Sequence, residues 1–208
     1  MKKIFIPAFS KFNCEVDLNE LSKVLPKKIL IAYSIQYKAV AEELKKYLSK
    51  SHKVLGLIQV LGCSKPKIPT ETQAILLISS GKFHAISLAY ETKTKIFLLE
   101  NNHLIQIFDN EIQELEKRKK NFLFKFLNSE RIGVFVSEKI GQEKLKIALS
   151  LKKNFKDKKF YFFLANNFNN SEIENFPQIK SWVNTACPRI DMMNPKILNL
   201  SDLEKFKN

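Results

Sequence analysis

A chain of 208 residues that is 45% hydrophobic and 27% charged can bury one large core or two small ones, and is neither a peptide nor a disordered tail. Its 35 basic against 21 acidic residues leave it at +14. Only Arg118, Arg131 and Arg189 are arginines, the type that base readout favours, and the lysines scatter among Asn, Ile and Phe as AT-rich codons would place them, so a nucleic-acid partner is disfavoured. No apolar run approaches the roughly 18–20 residues of a bilayer-spanning helix. The opening apolar run, Ile4 to Phe9, is broken by Pro7 and followed by Lys11, which reads as cytoplasmic rather than as a secretory leader.

Strand-length apolar runs alternate with helix-length amphipathic segments, the pattern of βαβ units on a parallel sheet. Lys28 to Ser34 reads as a strand, Ala39 to Ser49 as a helix, and His52 to Leu57 and Ala74 to Ser79 as strands. His84 to Glu91 follows as a helix and Lys95 to Leu99 as a strand. Asn110 to Asn128 reads as a long helix with apolar Ile112, Leu115, Phe122, Leu123 and Phe126; the cluster Glu116-Lys117-Arg118-Lys119-Lys120 reads as a solvated face of it. The order then repeats: strand Arg131 to Ser137, helix Gln142 to Lys153, strand Lys159 to Ala165, a short helix near Ser171 to Asn175, and strand Ser181 to Thr185. The expected fold is α/β, two small doubly wound parallel-sheet domains in tandem. Residues 1–26 form an N-terminal segment or linker, 27–128 a domain carrying Cys63, and 129–208 a domain carrying Cys187.

Three widely spaced cysteines, Cys14, Cys63 and Cys187, with no C-x-x-C, make neither a disulfide framework, a zinc ribbon nor a ferredoxin motif. A buried lone cysteine is ordinarily a small core hydrophobe. Cys63 and Cys187, however, both lie in loops just past strand ends, where open parallel sheets bind their ligands. His52 and His103 belong to no motif and read as surface residues. Gly81 and Gly141 read as turn residues that need backbone freedom.

Four motifs occur in succession: Val60-Leu61-Gly62-Cys63, Ser80-Gly81-Lys82-Phe83-His84, Ile140-Gly141-Gln142, and Val183-Asn184-Thr185-Ala186-Cys187-Pro188-Arg189-Ile190-Asp191. Together with Lys27 to Tyr37 they resemble the middle and last domains of 2-(3-amino-3-carboxypropyl)histidine synthase, the radical S-adenosylmethionine enzyme of diphthamide synthesis. That family has three similar α/β domains, each giving one cysteine to a 4Fe–4S cluster, with one iron left for S-adenosylmethionine. Its product is translation elongation factor 2 carrying the 3-amino-3-carboxypropyl group on a histidine. The resemblance implies Cys63 and Cys187 as metal ligands, Gln142 and Gly141 at the amino-acid end of S-adenosylmethionine, Arg189 against a carboxylate or phosphoryl group, and His84 lining the pocket. His84 and Arg189 are the catalytic candidates.

The family's first domain, with its own cysteine, is not among the matched motifs. A separate first-domain chain, or Cys14 as a substitute third ligand, would supply what it provides; the resemblance also implies work in a complex, with such a chain, as a homodimer like that of the family, or both. Glu100-Asn101-Asn102 stands where the family tends to have an Asp-Pro turn, and Ala85-Ile86-Ser87 replaces a Pro-Leu-Gly pattern. A non-catalytic α/β partner subunit of the enzyme is the alternative, and a basic RNA-binding module a third.

Overall fold

The computed structural model describes residues 6, 8, 15–61, 66–167, 170–193 and 197–205. They divide into two compact units that part between Leu115 and Glu116. The first holds α1 (Leu18–Val24), β1 (Lys28–Tyr33), α2 (Lys38–Leu48), β2 (Lys53–Gln59), β3 (Ala74–Ile78), α3 (Lys82–Thr92), β4 (Lys95–Glu100), β5 (His103–Gln106) and the start of α4 (Asp109–Leu127). Its sheet has the order β2-β1-β3-β4-β5, parallel except for β5, which pairs antiparallel with β4.

The alternation of side chains along a strand sorts this sheet into two cores. Ile29, Ile31, Tyr33, Leu76, Ile78, Phe97 and Leu99 face α2 residues Val40, Ala41, Leu44 and Leu48. Leu30, Ala32, Ile75, Leu77, Ile96 and Leu98 face Ala85, Leu88 and Ala89 of α3. Helices on both faces explain why β1, β3 and β4 read as unbroken apolar runs rather than as alternating ones. The doubly wound expectation is therefore met here, with β5 added at one edge.

Two local features differ from the sequence reading. The β4–β5 hairpin turns through Asn101 and Asn102, both in the left-handed region at φ 47° and 65°, the conformation that a two-residue hairpin loop needs and that asparagine tolerates. His52 is buried, not on the surface: its Nδ1 lies 2.9 Å from Ser51 Oγ and its Nε2 3.3 Å from the Leu25 carbonyl oxygen, tying the end of α2 to the end of α1. His103 is exposed on β5, as expected.

The second unit contains the rest of α4, then β6 (Arg131–Ser137), α5 (Leu145–Asn154), β7 (Lys159–Ala165), α6 (Asn170–Glu174), β8 (Ser181–Asn184), β9 (Ile197–Asn199) and α7 (Leu200–Lys205). Its sheet, β7-β6-β8-β9, is parallel throughout. The strand order 2-1-3-4 of the first unit thus recurs. One face packs Ile132, Val134, Val136, Phe160, Val183 and Leu198 against Phe122, Leu123 and Phe126 of α4, Ala148 and Leu151 of α5, and Leu200 and Leu203 of α7. The other gathers Trp182, Ile197, Ile173 and Ile179 with Phe163 and Phe176. Lys158 stops α4: its ammonium, 5% exposed as a side chain, donates to the carbonyls of Leu127 and Ser129 at 2.8 and 3.0 Å, a cation at the negative end of a helix.

Gly133 on β6 pairs with Trp182 on β8, and a Cβ there would sit 2.4 to 2.6 Å from three carbons of the indole. Trp182 is fixed by Phe163 and Phe176, whose ring centroids lie 4.8 and 6.1 Å away. Gly133→Ala is expected to cost about 2–3 kcal/mol of stability through overpacking, read as a lower denaturant midpoint with unchanged slope. Trp182→Leu in the same chain should recover part of the loss, and a Gly133→Ala midpoint equal to wild type would contradict the packing described. Among the described residues no helix is long and apolar enough to cross a membrane.

Candidate functional site

In a parallel sheet of order 2-1-3-4 the connections leave the first and third strands on opposite faces, so a crevice opens beyond their carboxyl ends. In the second unit those strands are β6 and β8. The loop after β6 runs through Gly141 and Gln142, and the loop after β8 carries Cys187 and Arg189. In the first unit they are β1 and β3, followed by Ser34 to Tyr37 and by Ser79 to His84.

The Cys187 loop is held by buried side-chain amides. Asn184, 1% exposed at the end of β8, accepts the Ala186 N–H through Oδ1 at 2.9 Å, and its Nδ2 donates to the Cys187 carbonyl at 2.8 Å and to Asn199 Oδ1 at 2.7 Å. Asn199, its register partner on β9 and 3% exposed, donates from Nδ2 to the Pro188 carbonyl at 3.0 Å. Thr185 donates both its N–H and its hydroxyl to the Phe135 carbonyl, at 3.1 and 2.9 Å. The Thr185 and Ala186 N–H groups and the Cys187 and Pro188 carbonyls are thus all hydrogen-bonded within the unit, while Cys187 itself is a free, half-buried thiol. Arg189 lies on a six-residue 3₁₀ segment, Pro188–Met193, and is exposed.

The loop after β6 is not a helix start, which moves Gln142 from the first turn where the sequence reading placed it. Gly141 takes φ 77°, a conformation reserved for residues without a Cβ, and the Gln142 N–H is already donated to the Lys139 carbonyl at 3.0 Å. Helix α5 begins at Leu145, whose N–H meets the Glu143 carboxylate at 2.6 Å. Gln142 is half-buried. Its side chain, rather than its backbone N–H, is what it has to offer a ligand.

In the first unit Gly81 caps α3 at φ 82° and its N–H is held by the Glu100 carboxylate. His84 Nδ1 and Ser79 Oγ share a hydrogen bond of 2.9 Å, with Ser79 buried at the end of β3. That fixes the ring of a half-buried histidine beside Phe83, at 5.5 Å between centroids. Cys63 and Cys14 lie outside the described residues. Sequence reasoning quoted Asn184 within its motif but assigned no role to it, Asn199, Ser79 or Glu100. An asparagine two residues before a turn N–H is a known turn former and was the one available signal.

A family model for diphthamide synthesis proteins matches residues 1–199. The chain belongs to the diphthamide synthesis protein family. Within that family it is 27% identical over 207 residues to a 2-(3-amino-3-carboxypropyl)histidine synthase of Pyrococcus horikoshii, an alignment covering 91% of this chain and 59% of the relative. A Methanocaldococcus jannaschii protein of the same name is 26% identical, with 91% and 56% covered. A Dictyostelium discoideum protein named subunit 1 of that synthase is 23% identical, with 79% and 39% covered. The chain thus spans little more than half the length of its archaeal relatives. The crystal structure of Dph2 from Pyrococcus horikoshii superposes with a TM-score of 0.78 at 24% identity, covering 95% of this chain and 63% of the other. A second structure of that protein, with a 4Fe–4S cluster, gives 0.75 at 25% identity, with 91% and 59% covered.

Iron–sulfur clusters take thiolate donors, and Cys187 fits that demand: a free thiol on a rigid loop at the carboxyl end of its sheet. Among the described residues no three His, Cys, Asp or Glu side chains converge. Cys187 would therefore work with donors beyond them.

Proposed function

We propose that this chain takes part in the first step of diphthamide synthesis, with Cys63 and Cys187 as thiolate ligands of a 4Fe–4S cluster. The reaction is transfer of the 3-amino-3-carboxypropyl group of S-adenosylmethionine to a histidine of translation elongation factor 2, in the cytoplasm. The bond from sulfur to the γ-carbon breaks, a bond from that carbon to a histidine ring carbon forms, and the ring gives up a proton. The single observation that carries the proposal is Cys187, inside its family motif, held by buried amides at the crevice end of β8.

When bound, the cluster would supply reducing power and an iron to bind and activate S-adenosylmethionine. The chain's own residues orient what reacts. The Gln142 side chain, set by the left-handed turn at Gly141, offers an amide to the amino-acid end of S-adenosylmethionine. Arg189, two residues from Cys187, offers a guanidinium to a carboxylate or phosphoryl group. His84, with its ring held by Ser79, would line the pocket in which they react.

A cluster with one open iron needs three protein thiolates. Cys63 and Cys187 are two, and the third comes from Cys14 or from outside these 208 residues, on a companion polypeptide or a second copy of the chain. The Dictyostelium relative is itself named as a subunit, which supports work in an assembly; the second reading is a non-catalytic α/β partner in the same enzyme. Size-exclusion chromatography with light scattering, alone and beside a candidate chain supplying the third cysteine, together with a transfer assay on elongation factor 2, separates these cases. Transfer is expected only from an assembly. Full transfer by the monomer would make Cys14 the third ligand, and no transfer from any assembly would leave the partner-subunit reading.

A further inference from the structure

We propose that Asn184 and Asn199 form a positioning clamp whose role is to fix the Cys187 thiol. This rests on the reading of Cys187 as a metal ligand and adds how the chain presents it. Two neighbouring parallel strands end in asparagines at the same register position, and their amides meet at 2.7 Å in a place where each is nine-tenths buried or more. Both amides also bond the cysteine loop: Asn184 the Ala186 N–H and the Cys187 carbonyl, Asn199 the Pro188 carbonyl.

A pair of buried amides is an expensive way to fill a sheet end, since each must have its donors and acceptors met or lose its desolvation energy. Two apolar residues would stabilise β8 and β9 as well without reaching the loop. What only the amides provide is a backbone from 186 to 188 that cannot rotate its peptide planes without breaking three hydrogen bonds. Fixing those planes fixes the Cα–Cβ vector of Cys187, so the thiol offers one direction to a metal instead of an ensemble. The Pro188 ring stiffens the far side.

The test uses Asn199→Ala in the full chain, with Leu203→Ala as a control that weakens the same unit from α7 without touching the loop. Three quantities are read: hydrogen exchange at the Ala186 amide, the alkylation rate of Cys187 by iodoacetamide with Cys14 and Cys63 as internal standards, and iron retained against a chelator after anaerobic loading with iron and sulfide. Asn199→Ala is expected to speed Ala186 exchange and Cys187 alkylation several-fold, with the other two cysteines unchanged. It should also weaken iron retention by about ten- to a hundred-fold, the usual effect of removing an outer-shell partner of a metal ligand. Leu203→Ala should lower the melting temperature and leave the Cys187 rate relative to the other cysteines as in wild type. Wild-type exchange and alkylation in Asn199→Ala, or the same selective change in Leu203→Ala, would overturn the clamp. If Cys187→Ala retains as much iron as wild type, the ligand reading fails, while exchange and alkylation still decide whether the clamp exists.

Discussion

Asp202→Ala is expected to remove about 3–5 kcal/mol from the second unit, the typical result of breaking a buried ion pair from one side. Lys119 Nζ on α4 reaches both carboxylate oxygens of Asp202 on α7, at 2.8 and 2.7 Å, with the two side chains 13% and 3% exposed. Both charges have left water, so removing the carboxylate leaves an ammonium whose solvation is not restored. Helix α7 has six residues, too few to be stable alone; the ion pair and the packing of Leu200 and Leu203 hold it. The melting transition should fall by more than roughly 10 °C for a unit of this size. Lys119→Met with Asp202→Leu should recover most of it, because a well-packed apolar pair replaces a buried ion pair at little cost. An Asp202→Ala chain that melts as wild type would show the pair to be loose in solution.

The second large effect concerns iron. Cys63→Ala and Cys187→Ala are each expected to abolish stable cluster loading, because alanine removes an iron–sulfur bond that no neighbouring donor replaces. Among the described residues no other cluster of ligating side chains stands ready to do so. Cys14→Ala separates two sources of the third ligand. Near-complete iron retention places that ligand outside these residues; loss equal to that of the other variants makes Cys14 the ligand. Iron and acid-labile sulfide per chain, determined after gel filtration under anaerobic conditions, give the answer. A Cys187→Ala chain with full iron would sink the assignment.

Much of the architecture was legible in the sequence because the strands β1, β3, β4 and β6 are buried on both faces and so spell continuous apolar runs bounded by turns. β6 is readable to the residue for that reason, and β7, an edge strand with Tyr161 and Leu164 exposed, through its aromatic, β-favouring run Phe160 to Phe163. β5 and β9, of four and three residues, are too short to carry a period, and in the sequence Asn101-Asn102 reads as a departure from the family's motif rather than as the turn that announces β5. The start of α5 was misplaced by three residues because Gln142 and Glu143 look helical, whereas the positive φ of Gly141 imposes a separate turn first. His52 reads as a surface residue because it belongs to no motif, and the contact with the end of α1 that accompanies its burial is not visible in the sequence.

In the candidate site, the cysteine and its motif were visible from residue type and position past a strand end. The clamp was not. Asn184 and Asn199 are fifteen residues apart, and their meeting depends on a strand too short to foresee and on a register that only the folded sheet defines.

The measurement that bears most directly on the central claim is Mössbauer and electron paramagnetic resonance spectroscopy of the chain loaded anaerobically with iron and sulfide, beside Cys187→Ala treated identically. The account predicts the signature of a thiolate-held 4Fe–4S cluster in the wild type, together with whichever chain completes the ligand set, and its loss in the variant. The same cluster spectrum in both, or only adventitious ferric iron in the wild type with every companion tried, would contradict it.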